Sequence, residues 1–354
     1  MKKMLLWLAI CMVALCARAQ KIEVVDSDGY GIPYASVLTA GAEYVGITDL
    51  EGVLPDVKGA KSVVISHVAF KPKEVKLDGK DVRVTLEDAD YSLEEIVVEP
   101  KPLVYVETYY RVYGFADNSL RYYLAGIMPN AYDVEKKKVK SGSYMESYGD
   151  FCLSTGIGIT WGARAQKFNA GKIHKSGAID FVKGGKTRDY YFVTLTDEGK
   201  GRQRVSNQEG TVGFIETEKG EVHMTLDAGK MQMYRNKALG QNSLLKRREK
   251  VEYDYVFNEV FNIDEGGDAT IADLVMSSDH WEWNGGKGRM KFIIETYATK
   301  HAYIDAKGFK EKKRELKKTY VAPMKLDALE TYAASHGIPA LTPTMRRAIE
   351  ELKK

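Results

Sequence analysis

A serine and a lysine in Ser243–Lys246 have the Ser-x-x-Lys spacing with which a lysine activates a serine nucleophile for acyl transfer. Such a site also needs a Ser-Asp-Asn sequence and a Lys-Thr-Gly sequence. The nearest approaches are Ser278–His280, which ends in histidine, and Lys186–Arg188, which ends in arginine. Two fixed residues recur by chance in a lysine-rich chain, so we predict no nucleophilic serine.

The histidines do not have the spacing of zinc ligands. They are His67, His174, His223, His280, His301 and His336. None is followed by glutamate at the third position, and no His-Glu-x-x-His sequence occurs. His280 and Glu282 would share one face of a strand. A metal needs further ligands, and the sequence shows none nearby. We therefore interpret residues 280–283 as an exposed aromatic strand. Asp26–Gly29 is too short for a calcium loop and favours a turn, so no metal site is predicted.

Cofactor and thiol chemistry are not indicated either. Gly156–Gly162 has one residue too many for a dinucleotide-binding fingerprint, and Trp161 occupies the third glycine position. Cys152 has no adjacent histidine or basic residue, so we interpret it as a small buried apolar residue. The sequence predicts no catalytic, cofactor-binding or metal-binding residue, and therefore no enzyme.

Residues 1–19 are predicted to be a signal peptide. Two lysines precede the apolar run Met4–Leu15, and Ala17–Ala19 supplies a small-x-small cleavage pattern. The run is too short to span a bilayer comfortably, and Leu15 is not the small residue that lipidation of Cys16 would require. We expect an exported protein, periplasmic or outer-membrane-associated, without a transmembrane span in the mature chain.

The predicted mature chain has no net charge. The full chain has 52 Lys and Arg against 49 Asp and Glu, and removal of Lys2, Lys3 and Arg18 lowers the basic count to 49. A nucleic-acid-binding protein is expected to have a basic excess, so we predict no nucleic-acid partner. Lys307–Lys318 is locally basic but also contains acids, and we interpret it as a solvated strand or turn face.

Residues 20–98 have the pattern of a small all-β domain. Runs of alternating apolar and polar residues indicate strands at Ile22–Val25, Ala35–Leu38, Val45–Thr48, Ser62–His67, Lys73–Leu77, Asp81–Leu86 and Glu95–Val98. Turn sequences such as Asp26–Gly29 and Thr48–Gly52 separate them. Seven short strands without a helix predict an N-terminal seven-stranded β-sandwich.

The same residues resemble the carboxypeptidase-like regulatory domain family. The matching segments are Val25–Asp26, Gly31–Val37, Gly46–Gly52, Ile65–Phe70 and Leu93–Val98, with Leu54 where an aromatic residue is usual. The resemblance implies a transthyretin-like β-sandwich, common at the N-terminus of outer-membrane receptors and other envelope proteins. It implies an accessory module rather than a peptidase, because the zinc ligands are missing. Residues 99–102 are predicted to be a linker, and no barrel signature follows, so a TonB-dependent receptor is not expected.

Residues 103–320 are predicted to form a larger antiparallel β-rich domain. On Val104–Phe115, valines and Tyr110 alternate with Tyr109, Arg111 and other large side chains. Because both faces of this strand carry large side chains, we expect a curved sheet that wraps on something or a sheet with a covered outer surface. Further strands are expected at Leu120–Ile127, Asp189–Leu195, Val212–Thr217, Glu221–Leu226, Trp281–Trp283, Met290–Tyr297 and His301–Ile304.

Tyr109–Arg111, with Ala302–Asp305 late in the chain, resembles a group of envelope proteins that place a Tyr-Tyr-Arg strand after the regulatory domain. Their sheet is similar to the half-barrel of periplasmic lipoprotein carriers, which grips acyl chains. The resemblance implies a lipid-like or protein ligand but no individual contact residue. An ordinary sheet core with tyrosines at its rim is the alternative.

Residues 321–354 are predicted to be a helical tail. Leu326, Leu329 and Tyr332 share one helix face, and Gly337 ends that helix. Thr342 and Pro343 form an N-cap and first turn. An apolar stripe follows at Met345, Ile349 and Leu352. Such a stripe usually docks on its own domain, with partner binding as the alternative.

These patterns together predict a mainly β protein. The N-terminal β-sandwich is followed by a larger antiparallel β-rich domain, α+β with a half-barrel as an alternative, and by C-terminal helices. We expect a non-enzymatic envelope protein that acts by binding or scaffolding at the outer membrane or in the periplasm. Its partner would be an envelope protein or a lipid-like ligand. The alternatives are a periplasmic carrier of a lipid or lipidated protein and a cryptic envelope hydrolase.

Overall fold

The computed structural model describes residues 20–91, 101–139, 147–155, 170–171, 193–208, 210–227, 229–230, 252–263, 269–285, 288–320 and 323–353. In these residues the chain is mainly β, with two small N-terminal sheets, an antiparallel sheet of eleven strands and three C-terminal helices. This architecture confirms the predicted fold class. The predicted signal peptide lies outside the described residues.

The two N-terminal sheets share one apolar core. One sheet consists of β4 (Val53–Leu54), β1 (Ile22–Val25) and β7 (Val82–Thr85), in that order. The other consists of β3 (Tyr44–Ile47), β2 (Ser36–Thr39), β5 (Ser62–His67) and β6 (Phe70–Lys76). Ile22 and Val24 of the first sheet are buried in the same cluster as Val37 and Ile65 of the second. Alternate side chains of each strand point inward, as the sequence pattern predicts.

The predicted turn chemistry is present in this region. Asp49 Oδ1 accepts hydrogen bonds from the backbone N–H groups of Glu51 and Val53 at 3.0 and 2.8 Å. Gly52 has a φ of +77°, and a Cβ there would lie 2.4 Å from the Val24 carbonyl oxygen. Six of the predicted strands coincide with β1, β2, β3, β5, β6 and β7. The seventh, at residues 95–98, lies outside the described residues, and β4 escapes prediction because two residues cannot show alternation.

The large sheet accounts for most of the remaining strands. They are β8 (Leu103–Ala116), β9 (Ser119–Asp133), β10 (Lys138–Val139), β11 (Tyr148–Ser154), β12 (Thr194–Gly199), β13 (Arg202–Asn207), β14 (Gly210–Glu218), β15 (Glu221–Asp227), β16 (Glu252–Asn262), β17 (Leu274–Gly285) and β18 (Gly288–Ile304). The strand order is β10-β9-β8-β18-β17-β16-β15-β14-β13-β12, and β11 also pairs with β9. Two predicted runs, at residues 290–297 and 301–304, are parts of the single strand β18. The sequence pattern misses β10, β11, β13 and β16.

Both faces of the large sheet are covered at β8. Val106 and Val112 point to one face, and Tyr109 and Phe115 point to the other. The face with Tyr109 packs against the C-terminal helices and residues of the N-terminal sheets. On the opposite face, the short 3-10 helix Ile271–Asp273 contacts β8, β9 and β16. Because β9 and β16 would lie about 19 Å apart in a flat sheet, the sheet must curve around this helix. We call the face with Tyr109 the outer face and the face that contacts this 3-10 helix the inner face. Both predicted alternatives, a curved sheet that wraps on something and a covered outer surface, therefore occur together.

The C-terminal helices are α1 (Ala306–Thr319), α2 (Leu326–Ser335) and α3 (Pro343–Glu351). At the start of α3, Thr342 Oγ1 accepts a hydrogen bond from the Met345 N–H at 3.2 Å, as predicted. Leu329 of α2 and Ile349 of α3 are fully buried in the cluster beneath the sheet, so both helices dock on their own chain. None of the helices among the described residues has the length and apolarity needed to cross a membrane.

The prediction for Lys307–Lys318 is wrong, because this stretch is helical rather than a strand or turn. The Asp305 side chain caps the helix by accepting from the Gly308 N–H at 2.6 Å. Leu316 is buried in the cluster beneath the sheet, and the two basic residues of the last turn suit the negative end of the helix dipole. The predicted solvated face is present, because most of the basic side chains are exposed, but the cap and the burial of Leu316 make the segment a helix.

Candidate functional site

A cleft lies between the N-terminal sheets and the outer face of the large sheet. Asp227, Val256, His280 and Ile293 line its floor. These four residues are successive register partners across β15, β16, β17 and β18. Directly opposed residues of antiparallel strands present their side chains on the same face. The sheet register therefore assembles the floor from positions far apart in the sequence.

The N-terminal sheets form the roof of the cleft. Tyr34 and the turn between β3 and β4, residues 47–55, contribute to it. Tyr44 attaches the roof to the large sheet, because its backbone N–H donates to the Asn118 carbonyl at 2.7 Å. Lys291 Nζ of the sheet lies 3.6 Å from the centroid of the same tyrosine ring, a cation–π distance. The cleft is thus a feature of the junction and belongs to neither region alone.

The cleft has the size and lining of a small-molecule site. Its volume is about 650 Å³, within the range of ligand pockets in proteins. Its aromatic and aliphatic lining residues are Tyr34, Tyr44, Ile47, Leu50, Val53, Pro55, Val256, Trp281, Phe292 and Ile293. Polar groups are distributed among them on the floor and on the turn. A ligand there would meet both apolar surface and hydrogen-bonding groups.

The charged side chains on the floor have partners. Glu282 forms ion pairs with Arg289 and with Lys291, whose Nζ lies 3.2 Å from a Glu282 carboxylate oxygen. Burial lowers the pKa of Lys291 to about 8, and Glu282 opposes that shift. Asp227 pairs with Lys230 at 3.2 Å. Since these charges are compensated within the protein, the floor does not select a ligand by a net charge of its own.

Two buried polar groups in the cleft lack partners among the residues that the structure describes. These are His280 Nδ1 and the Tyr34 hydroxyl, and both residues line the cleft. Burial lowers the pKa of His280 to about 4, so the imidazole is neutral at pH 7. Burial, with smaller contributions from Asp227, Asp49 and Glu51, raises the pKa of Tyr34. Buried polar groups are rarely left without a hydrogen bond. Neither atom is exposed to solvent in the cleft, so a ligand or water would reach them only after a movement of neighbouring side chains.

Among the described residues, no hydroxyl or thiol hydrogen-bonds to His280, the histidine that lines the cleft. Nucleophilic catalysis needs a hydroxyl or thiol next to a base that a third group orients. The Thr48 hydroxyl accepts from the Ala35 N–H at 2.8 Å and donates to the Ile32 carbonyl at 2.7 Å. It therefore stabilises the backbone. Within the described ranges, no carboxylate hydrogen-bonds to His280, so nothing there orients the imidazole as a general base.

A second polar cluster lies on the same outer face of the sheet, around Arg111. Arg111 Nη2 lies 2.9 Å from Glu330 Oε1 of α2, and Nη1 donates to the Pro339 carbonyl at 2.8 Å. Glu295 of β18 lies 3.8 Å from Nη1 and accepts a hydrogen bond from the Tyr113 hydroxyl at 3.3 Å. The Arg111 side chain is only 2% exposed. Burial raises the pKa of Glu295, and Arg111 opposes that shift.

This Arg111 cluster is a structural clamp. It joins β8 to α2 and to the segment before α3, and its cavity of about 40 Å³ is large enough for only a few water molecules. The two segments of the Tyr-Tyr-Arg resemblance lie on the neighbouring strands β8 and β18 but are not paired with each other, because Arg111 pairs with Glu295 and Ala302 pairs with Tyr105. Both tyrosines of the motif are fully buried, Tyr109 under the helices and Tyr110 on the opposite face of the sheet. The prediction of tyrosines at the rim of the sheet is therefore wrong.

The structure also tests several other sequence interpretations. Cys152 is exposed on β11, so its predicted burial is wrong; β11 is partly exposed, and the alternation of the sequence could not show which side faces solvent. His280 is buried under the N-terminal sheets, so the predicted exposed strand is also wrong. The shared face of His280 and Glu282 is confirmed. Ser243–Lys246 and Gly156–Gly162 lie outside the described residues.

A metal site would need several ligands in one place. The described ranges contain no group of three His, Cys, Asp or Glu residues that could hold a metal ion.

The sequence signal that could have located the cleft is the His280–Glu282 alternation. It could not show what lies above the strand, because the covering residues come from the N-terminal region.

No family model, curated protein or solved structure matches this chain.

Proposed function

We propose that this protein is an exported, non-enzymatic binding protein of the cell envelope and that its ligand binds in the cleft. The observation that carries the proposal is the cleft of about 650 Å³, in which His280 Nδ1 and the Tyr34 hydroxyl are buried without partners among the described residues. A protein loses stability by burying such groups. A bound ligand that satisfies both would recover that loss.

The proposed envelope role is supported by the resemblance of the N-terminal region to the carboxypeptidase-like regulatory domain. The segments Gly31–Val37 and Gly46–Gly52 carry that resemblance. Thr48 of the second segment hydrogen-bonds to Ile32 and Ala35 of the first, so the two segments are physically coupled. Residues 1–19 have the features of an export signal, which supports a location in the periplasm or at the outer membrane.

The test uses the mature chain, residues 20–354, purified gently from an envelope extract and weighed by native mass spectrometry. We expect a discrete added mass on the wild-type protein. The double variant Tyr34→Phe and His280→Leu should lose this mass, because it lacks both hydrogen-bonding groups of the cleft. Tyr30→Phe with His223→Leu is the matched control, since Tyr30 is 58% exposed and the His223 side chain is 41% exposed.

The possible results separate the proposal from its alternatives. An added mass that persists in the cleft variant would place the ligand elsewhere. Hydrolytic turnover by the pure protein, abolished by a single substitution, would contradict the non-enzymatic proposal. Cross-links to one envelope protein, reduced by the cleft variant and unchanged in the control, would identify that protein as the occupant of the cleft.

The second candidate is a periplasmic carrier of a lipid or a lipidated protein. The observation that favours it is the curvature of the large sheet, whose inner face is apolar at Val106, Leu226 and Phe261. These side chains are at most 1% exposed and the 3-10 helix Ile271–Asp273 packs on this face, so an acyl chain would bind there only if that helix moved away. The same mass measurement distinguishes the two candidates, because an adduct of lipid mass that survives substitution of Tyr34 and His280 would favour the inner face of the sheet over the cleft.

A further inference from the structure

Helix α1 concentrates positive charge in a protein that otherwise balances its charges. Its 14 residues, Ala306–Thr319, contain seven Lys and Arg against the two glutamates Glu311 and Glu315. The predicted mature chain, without residues 1–19, has equal numbers of basic and acidic residues. The excess on this helix is therefore compensated elsewhere in the molecule and leaves a local basic surface.

Most of these basic residues lie on one side of the helix. Their spacings of three and four residues place them in a single stripe along the axis. We call these residues the basic stripe: Lys307, Lys310, Arg314, Lys317 and Lys318. All five are exposed. At 1.5 Å per residue, the helix that carries the stripe is about 21 Å long.

The other side of α1 packs against the large sheet. Leu316 is buried in the cluster beneath the large sheet. The Phe309 ring centroid lies 6.2 Å from that of Tyr105 of β8, within the range of aromatic pairs. The side chain of Asp305 caps the first turn. The basic stripe therefore has a defined orientation away from the sheet.

The acids of the helix do not neutralise the stripe. Glu311 lies 4.0 Å from Lys307, and Glu315 pairs with Lys312 at 3.0 Å. The other four residues of the stripe form no ion pair with any residue that the structure describes. Lys310 and Arg314 are four residues apart, as are Arg314 and Lys318, and like charges at that spacing destabilise a helix. The uncompensated charge thus has a cost in the isolated protein that an anionic partner would remove.

We propose that the basic stripe docks the protein on an anionic phospholipid surface. Clusters of four to eight Lys and Arg residues on a helix bind anionic headgroups, with about 1 kcal/mol for each residue near the surface. The exposed side of α1 carries no large apolar residue, so binding would be electrostatic, reversible and weakened by salt. The charge balance of the mature chain and the absence of exposed aromatic side chains on the stripe favour a membrane over a nucleic acid. This inference is independent of the cleft.

The experiment is co-sedimentation of the mature chain with vesicles of phosphatidylcholine alone and of phosphatidylcholine mixed equally with phosphatidylglycerol. We expect binding to the mixed vesicles only, and less of it as salt increases. Combining Lys310→Glu, Arg314→Glu, Lys317→Glu and Lys318→Glu should weaken binding by at least about tenfold. The matched control combines Lys61→Glu, Lys76→Glu, Lys80→Glu and Lys200→Glu, four exposed positions outside α1. It changes the net charge equally and should bind nearly as well as the wild type.

Glutamates in the last turn of a helix oppose its dipole, so the charge-reversed helix could unfold. A second variant with glutamine at the same four positions removes the charge without adding acids, and it should bind with an affinity between those of the wild type and the reversed variant. Equal binding to pure phosphatidylcholine would overturn the proposal, as would an equal loss of binding in the control. Binding to duplex DNA but not to vesicles, lost in the stripe variants, would assign the stripe to nucleic acid instead.

Discussion

The Arg111 cluster and the cleft lie on the same outer face of the large sheet, but they differ in whether their buried polar groups have partners. Glu295 of the cluster and Lys291 of the cleft are four residues apart on β18. In the cluster, Arg111 contacts two carboxylates and a backbone carbonyl. In the cleft, His280 Nδ1 and the Tyr34 hydroxyl have no partner among the described residues.

The difference shows how a single sheet face can serve two purposes. A buried polar network whose members are all satisfied rigidifies a structure and specifies one arrangement of its elements. The Arg111 cluster does this for α2, together with the hydrogen bonds of the Tyr332 hydroxyl to Glu107 and Thr299. A buried group without a partner contributes no such order and reduces stability. Its presence beside an open cleft supports the proposed binding function.

The largest effect is expected from breaking the Arg111 cluster. Arg111→Met would leave the Glu330 and Glu295 carboxylates without their shared cation, which should lower the free energy of unfolding by about 3–5 kcal/mol. Urea denaturation measures this loss. Arg346→Met is the control, because its pair with Asp327 is exposed and contributes at most about 1 kcal/mol. A similar loss in both variants would show that the buried pairs have no special role.

A smaller effect is expected from the pH dependence of the cleft. Burial lowers the pKa of His280 in the folded protein to about 4, below its value of about 6.5 in the unfolded chain. Between these values the unfolded state binds more protons, so stability is greatest above about pH 6.5 and falls as the pH drops toward 4. The contribution of His280 is up to about 3 kcal/mol.

Replacing His280 with glutamine should make this decline shallower, as measured by urea denaturation at several pH values. The raised pKa of Glu295 acts in the opposite direction, because protonation of that carboxyl favours the folded state as the pH falls. The comparison is therefore made between the two proteins at each pH. An unchanged slope in the variant would mean that His280 is accessible to protons in the folded protein.

The smallest effect distinguishes a satisfied tyrosine from an unsatisfied one. Tyr113→Phe removes a hydroxyl that donates to Glu295 and should cost about 1–2 kcal/mol. Tyr34→Phe removes a buried hydroxyl without a partner and should be neutral or stabilising by up to about 1 kcal/mol. Thermal unfolding of the two variants without ligand makes the comparison. Destabilisation by Tyr34→Phe equal to that by Tyr113→Phe would show that ordered water satisfies the Tyr34 hydroxyl.

Much of the local structure could be predicted from the sequence. The strand alternation on Val104–Phe115 and the turn at Thr48–Gly52 are set by neighbouring residues, and both occur as predicted. The start of α3 at Thr342 is equally local. The same reasoning failed for Lys307–Lys318, because the burial of Leu316 that holds α1 in place depends on the sheet beneath it. It failed for Cys152 because alternation does not show which side of a strand is covered.

The sequence by itself determined the fold class and most of the strands, because periodicity and turn chemistry act over a few residues. Only the tertiary structure decided where the polar groups meet. Arg111 and Glu330 are 219 residues apart in the chain, and the roof of the cleft at residues 34–55 is likewise distant in sequence from its floor at residues 227–293. No local pattern encodes such separations. They are set by the register of the large sheet and by the docking of the N-terminal sheets on its outer face.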